Sequence, residues 1–197
     1  SIERHIFIRS FNVAIYNIVI MIRLEKMAMT IAKPRLTEDG FPQILDPVAT
    51  ARSLRSFLAT HAEACEHERR IVDPVMTALR DSGLFYITAP RRAGGPACTL
   101  ITHIETVAEL AKACVGTAWA YGLLSGVTGT ALGFPPAVTS LLFRTGSELF
   151  CSASAPCGTA IAVDGGYRVS GKWGYGSGCL HADWALNGIV IRDVDGI

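Results

Sequence analysis

A turn between two apolar runs decides the class of fold. It lies within Thr159-Ala160-Ile161-Ala162-Val163-Asp164-Gly165-Gly166-Tyr167-Arg168-Val169, where short β-type runs flank an Asp-Gly-Gly centre. Such a centre is typical of a hairpin, because glycine tolerates the positive φ angles of a tight turn between antiparallel strands. Residues 149–154 and 186–191 have the composition of further short strands. The second half of the chain is therefore predicted to be β structure.

The first half has the signals of helices. Asp46-Pro47 predicts an N-cap with proline at the first helical position, in a helix that runs to about residue 66. Asp73-Pro74 predicts a second, shorter helix that ends at Gly83. Thr102 and Glu105 have the spacing of a capping box and predict the start of a third. Helices followed by strands predict an α+β fold.

A long stretch without charge follows, between Lys112 and Arg144. We predict a helix at about 119–132, and Gly122 and Gly126 have the spacing of packed membrane helices. A membrane span is one interpretation, but glycine, serine and threonine are frequent and a Pro-Pro pair interrupts the stretch. A helix buried on all sides has the same composition and is the favoured interpretation.

Composition narrows the function. The chain has 197 residues, 18 Lys and Arg against 17 Asp and Glu, 50% hydrophobic residues and 18% charged residues. These values exclude a disordered chain and disfavour electrostatic binding of nucleic acid, so we expect small-molecule chemistry. The six cysteines lack CxxC spacing, which predicts reduced thiols, a cytoplasmic protein and no metal site.

Three segments are expected along the chain. Residues 1–28 are interpreted as a leader or non-native extension, because the apolar run at 11–22 resembles a signal peptide without its cleavage pattern. Residues 29–145 are predicted to form a helical domain, and 146–197 the start of a truncated β domain. We therefore expect the chain to be a fragment.

Two reactive clusters have simpler interpretations. His61 and Cys65 lie four residues apart, but charged neighbours favour a solvated helix face over a metal site. Cys179, His181 and Asp183 suggest a nucleophile, yet no nucleophile-elbow pattern accompanies them and a turn is favoured.

A glycine-rich segment is the better candidate for a site. Residues 171–178 are predicted to form a strand containing Trp173 and Tyr175, beside Ser152 and Ser154. Hydroxyls, open backbone and an aromatic ring are what a flat flavin ring requires. A plain wall of a β-barrel is the alternative interpretation.

Ordered motifs across the chain carry a family resemblance. They are residues 84–95, Gly116-Thr117-Ala118-Trp119, residues 163–173 and residues 177–184. Over about residues 46–191 the sequence resembles the acyl-CoA dehydrogenase superfamily. Within it, the flavin-dependent monooxygenase branch is the most similar, the branch of the oxygenase component of p-hydroxyphenylacetate hydroxylase and of related steroid-catabolic hydroxylases.

The resemblance implies a fold and a set of site residues. It implies a helical N-terminal domain, a partial β-barrel of the acyl-CoA dehydrogenase type and a C-terminal four-helix bundle that is missing here. Ser152 and Ser154 are expected at the flavin edge, with Trp173 in the same site. Tyr175 falls at the position that stacks on the flavin ring. Ser177 falls beside flavin N5, and the resemblance assigns it the catalytic role.

Trp119 and Val127 are expected to line the substrate pocket by the same resemblance. Phenol hydroxylases of this branch tend to carry a histidine where this chain has Val127. This departure widens the expected substrates from phenols to other apolar aromatics, sulfur or amine compounds, or a different chemistry.

The implied activity is that of a two-component monooxygenase. A separate NAD(P)H-dependent reductase would supply reduced FMN or FAD, and an aromatic small molecule would be hydroxylated by a homotetramer. The fragment alone is expected to be inactive. One alternative is a true acyl-CoA dehydrogenase, although Ser154-Ala155-Pro156 lacks the acidic residue of the usual Thr-Glu-Pro motif. The other alternative is a non-catalytic binding or scaffold fragment.

Overall fold

From residue 44 onwards the helices precede the strands, as predicted, whereas one further strand lies before the first helix. The computed structural model describes residues 44–164 and 166–192, and the backbone of residues 18–23. The α+β class is confirmed in this coarse form, whereas the β-barrel type and the missing bundle stay predictions. In chain order the elements are β1 (Ile18–Arg23), α1 (Pro47–Thr60), α2 (Ala62–Glu68), α3 (Asp73–Asp81), two 3-10 turns (Leu84–Tyr86 and Arg91–Ala93), α4 (Leu100–Ala111), α5 (Val115–Leu132), α6 (Pro136–Leu142), β2 (Phe150–Val163), β3 (Gly166–Gly171) and β4 (Trp184–Arg192).

The first predicted helix is two helices. Asp46 caps α1 as expected, since its Oδ1 accepts from the Ala49 amide at 2.9 Å. At His61 the ring Nδ1 donates to the Phe57 carbonyl at 2.9 Å, the carbonyl that the His61 amide would bond in a continuous helix. That amide bonds Leu58 O at 3.1 Å instead. The single helix predicted to residue 66 is therefore wrong, because a side chain competes with the backbone at this position.

The start of α4 lies three residues before the predicted capping box. Thr99 is the N-cap, and its Oγ1 accepts from the Thr102 amide at 3.1 Å. Thr102 is consequently the third residue of the helix rather than its cap. The prediction of an N-cap at Thr102 was wrong. Thr99 lies three residues before Thr102, which is the spacing at which an N-cap side chain reaches a backbone amide of the first turn.

Glycines on α5 allow α4 to approach closely. A Cβ on Gly122 would lie 3.1 Å from Val107, and one on Gly126 would lie 3.5 Å from His103. The spacing of Gly122 and Gly126, which is typical of membrane helices, here allows α4 and α5 to pack together. The prediction that this helix is buried on all sides is wrong, because Trp119 and Leu123 on α5 are exposed. Within the described residues, no helix is long and apolar enough to cross a membrane.

A carboxylate on α4 ties this helix to α1. Glu109 bonds Lys112 at 2.7 Å and Arg55 at 2.9 Å, with Arg52 at 3.5 Å. The hydrogen bonds from Lys112 and Arg55 lower the pKa of Glu109 to about 2. The carboxylate therefore stays ionised throughout the physiological range.

The four strands form one sheet in the order β1-β4-β2-β3. The β2–β3 hairpin is confirmed, with Val163 opposite Gly166. The two short strands predicted at 149–154 and 159–163 form one strand, β2. The pairing of β2 with β4 nevertheless shifts register between Ala153 and Gly158, which is where the two predicted strands are separated. The predicted strand at 171–178 is wrong, because β3 ends at Gly171 and residues 172–183 form a loop with turns. The strand predicted at 186–191 is confirmed by β4.

One core joins the helices to the sheet. Leu84, Tyr121 and Leu124 from the helical part are fully or almost fully buried in the same cluster as Cys151 and Ala185 from β2 and β4. The predicted leader at residues 1–28 is described only in part. The backbone of β1 pairs with β4 at one edge of the sheet, and the other residues of the leader lie outside the described residues.

Candidate functional site

The loop at 172–183 packs on α5. Gly178 has φ of +80°, and its α-carbon lies so near Leu124 that a Cβ would be 2.6 Å from the Leu124 side chain. The His181 amide bonds Gly178 O at 2.8 Å, which closes a turn. Glycine is needed because a side chain would be strained by the positive φ and would also overlap α5. The loop is thereby held against the helix that carries Trp119.

The far end of the loop is anchored to the helical part. His181 is buried, and its Nε2 accepts from the Ile71 amide at 3.2 Å. Arg80 is also buried and donates to Ser147 O at 2.9 Å and to His181 O at 3.4 Å. These contacts connect residues more than 60 positions apart, so they could not be read from local sequence. They fix the C-terminal end of the segment that carries Tyr175 and Ser177.

Ser177 and Trp119 meet directly. The indole Nε1 of Trp119 donates to Ser177 Oγ at 3.2 Å. Since this bond uses an acceptor position on the oxygen, the hydroxyl proton of Ser177 is left to donate to another group. Trp119 is 65% exposed and Ser177 is half-buried, so both are accessible to a ligand. The structure thus brings together two of the predicted site residues.

A cleft of about 850 Å³ opens beside this pair. Its walls are α2 with the residues that follow it, the start of α5 and the loop at 175–181. Tyr175, Ser177 and Cys114 are among its lining residues. The Tyr175 side chain is fully exposed, and its backbone is left-handed with φ of 58°. Such a conformation is costly for a tyrosine, which is a feature that clusters at functional sites. Local sequence carried no signal for Cys114 as a lining residue.

The two predicted serines of β2 lie apart from this cleft's lining. Ser152 and Ser154 have their hydroxyl oxygens 3.4 Å apart, and Ser154 is exposed. Ser154 begins four exposed residues, 154–157, at the register shift of β2. Trp173 lies against the base of this segment, where its Nε1 donates to Gly188 O at 2.8 Å.

Val127 lies on α5, eight residues beyond Trp119 and therefore about 12 Å along the helix axis. It packs beside a separate apolar cluster that includes Leu142, Phe150 and Leu186. The structure does not bring it into contact with the Trp119–Ser177 pair. Its place in a substrate pocket stays a prediction.

The structure gives different outcomes for the two reactive clusters. The solvated face predicted at His61 and Cys65 is wrong for Cys65, which is buried and whose Sγ accepts from the Val72 amide at 3.5 Å. Residues 179–181 lie in a turn, as favoured, and Asp183 Oδ2 accepts from the Leu149 amide at 3.0 Å. Across the described ranges, no three acidic, histidine or cysteine side chains are grouped to hold a metal ion.

A flavin ring needs an aromatic surface and hydrogen-bond donors at its edge. The exposed ring of Tyr175 and the available proton of Ser177 are groups of this kind, next to a cleft of sufficient size. The residues present therefore fit the cofactor that the sequence resemblance implies.

Comparison with known proteins tests the family resemblance. Residues 48–133 match the acyl-CoA dehydrogenase N-terminal domain. The oxygenase component of FADH2-dependent resorcinol hydroxylase from Rhizobium sp. is 34% identical over 145 residues, which are 73% of this chain and 36% of that protein. The resemblance of this chain to the acyl-CoA dehydrogenase superfamily is confirmed. Its resemblance to the flavin-dependent monooxygenase branch is also confirmed.

Two further similar proteins support this branch. The oxygenase component of p-hydroxyphenylacetate 3-hydroxylase from Acinetobacter baumannii is 33% identical over 140 residues, 71% of this chain and 33% of that protein. The crystal structure of the HsaA monooxygenase from M. tuberculosis superposes with a TM-score of 0.72 at 29% identity, over 76% of this chain and 41% of that one. This chain spans about a third of the length of the two curated relatives.

Proposed function

We propose that this chain is part of the oxygenase component of a two-component flavin-dependent monooxygenase that hydroxylates an apolar aromatic or similar small molecule. The observation that carries the proposal is the bond from Trp119 to Ser177 at the rim of the cleft. The similar oxygenase components support it. Reduced FMN or FAD would supply the chemistry of oxygen activation and transfer.

The residues of this chain would bind, orient and exclude water. Tyr175 would stack on the flavin ring, and Ser152 and Ser154 would meet its edge. Ser177 would donate a hydrogen bond near the reacting atoms of the ring, in an orientation set by Trp119. Trp119 and the uncharged α5 would form a dry wall for an apolar substrate.

The same proposal includes partners and a compartment. A separate NAD(P)H-dependent reductase would deliver the reduced flavin to a homotetramer. The cysteines of the chain are all free thiols, which supports a reducing compartment such as the cytoplasm.

Anaerobic titration of the full-length gene product with reduced and oxidised FMN and FAD tests the proposal. We expect tighter binding of reduced flavin and an oxygen-dependent hydroxylated product from a panel of aromatic compounds. Ser177→Ala and Trp119→Phe should each lower the yield of product per reduced flavin, because the first removes the donor and the second removes the bond that orients it. Ser170→Ala, at an exposed position on β3, is the matched control.

Two results would count against the proposal. Tight binding of oxidised FAD with oxidation of an acyl thioester would assign a dehydrogenase activity instead. Product yields in the Ser177 and Trp119 variants equal to that of the Ser170 control would remove the site from the mechanism.

A further inference from the structure

We propose that Trp173 is a positioning residue that holds the exposed segment 154–157, here called the β2 bulge, in the geometry that presents Ser154 to the flavin. The inference rests on the proposed function for its last step. Its first steps depend only on the contacts of one indole ring with three glycines.

The β2 bulge is a large irregularity opposite a single residue. Ala153 pairs with Asn187 and Gly158 pairs with Ile189, so four residues of β2 face Gly188 alone. All four are exposed, and ladder hydrogen bonds cannot align them with one partner residue. Something other than regular strand pairing must fix their position.

The indole of Trp173 fills the base of the bulge. A Cβ on Gly158 would overlap the indole, and a Cβ on Gly171 would lie 2.8 Å from it. These two glycines face each other across the β2–β3 hairpin. The flat ring therefore lies directly on the backbone of both strands, which no side chain at either position would permit.

The indole nitrogen connects this contact to the third strand. Its N–H donates to Gly188 O at 2.8 Å, and Gly188 is the residue opposite the bulge. A Cβ on Gly188 would overlap Ser154 O and lie 3.0 Å from Ala155. One side chain thus links β2, β3 and β4 at the point where the bulge leaves the sheet.

This arrangement assigns Trp173 an indirect role. Its ring packs against the sheet and its donor is used by Gly188, so its effect on a cofactor passes through the bulge. Ser154, the first residue of the bulge, is where that effect would reach the flavin edge. Only an indole combines a ring of this size with an N–H donor, which explains why tryptophan suits the position.

The test uses a thiol that lies in the bulge itself. Cys157 is exposed, so its alkylation by N-ethylmaleimide, followed by peptide mass spectrometry, reports the local freedom of the bulge. Cys179 is also exposed, in the loop at 172–183, and is the internal reference. Trp173→Phe retains an aromatic ring and removes the N–H. Trp184→Phe is the matched control, because that indole donates to Leu142 O at 3.1 Å, away from the bulge.

We expect Trp173→Phe to change the alkylation rate of Cys157 by about fivefold, the effect of one hydrogen bond, and to leave Cys179 unchanged. In the full-length gene product the same variant should weaken flavin binding by about fivefold, measured by titration. Trp184→Phe should leave both quantities at the values of the wild type.

Three results would overturn the inference. An unchanged rate at Cys157 would show that Trp173 does not hold the bulge. Equal changes at Cys157 and Cys179 would show general loosening rather than positioning. A changed rate at Cys157 with unaltered flavin affinity would break the link to the cofactor. If the wild type binds no flavin, the proposed function fails and the cofactor role of Trp173 fails with it, whereas the Cys157 rates still decide whether the indole holds the bulge.

Discussion

Replacing Gly178 with alanine tests the contact that places the loop on α5. Its φ of +80° lies in the left-handed region, which costs a non-glycine residue about 1–2 kcal/mol. The new Cβ would also lie 2.6, 2.8 and 2.9 Å from three carbons of Leu124. Leu124 is fully buried and cannot move aside freely, so overpacking adds about 1–3 kcal/mol. We expect Gly178→Ala to be destabilised by about 2–5 kcal/mol.

Urea unfolding followed by circular dichroism measures this change, and thermal unfolding should show a decrease in Tm on the order of 10 °C. Gly174→Ala is the matched control in the same loop, because its φ is not positive and a Cβ there would meet nothing within 4 Å. This control should stay within about 0.5 kcal/mol of the wild type.

The variant should also disturb the site. If the loop moves off α5, the bond from Trp119 to Ser177 is lost, and the fluorescence of the exposed indole should change. Equal stability of Gly178→Ala and Gly174→Ala, with unchanged fluorescence, would refute the reasoning. It would mean that the loop does not lie against Leu124.

Three other predictions concern stability and thiol reactivity. Glu109→Gln should lower the free energy of unfolding at neutral pH. Because the pKa of Glu109 in the folded state is about 2, below the ordinary value of 4.5, the difference from the wild type should shrink as the pH falls from about 5 towards 2. Urea unfolding at a series of pH values measures this difference. Tyr121→Phe should cost about 1 kcal/mol in the same assay, because its buried hydroxyl donates to Leu84 O at 3.0 Å. Cys157 should react with maleimide in the folded protein, whereas Cys151 should react only after unfolding, since it is buried and burial raises its pKa to about 11; equal rates for the two thiols would contradict the placement of β2.

Local signals predicted most of the fold. The cap at Asp46, the hairpin ending at Gly166 and the strand at 186–191 all depend on neighbouring residues, and all three are present. The errors arose where two local signals compete. Thr99 and Thr102 can each cap a helix, and the ring of His61 can replace the His61 amide as the donor to the Phe57 carbonyl. In each case the sequence alone could not decide between the two alternatives.

The loop at 172–183 was misread for a different reason. Alternating aromatic and glycine residues have the period of a strand, but a strand also needs a partner. In the structure β3 ends at Gly171, residues 172–183 leave the sheet, and Gly178 turns the chain towards α5. Tertiary contacts at Leu124 and Ile71 decided the outcome, and they involve residues far away in the sequence.

The same contacts explain why site residues could be named before their arrangement was known. The family resemblance identifies Ser177 and Trp119 as site residues. The structure adds that the indole of Trp119 donates a hydrogen bond to the hydroxyl of Ser177. That bond joins α5 to the loop that follows β3, and the contacts of Gly178 and His181 hold this loop beside the helix. Neither part alone could orient the hydroxyl. A substitution that loosens the contact between the two parts should therefore impair the site even when every residue that touches a ligand is retained.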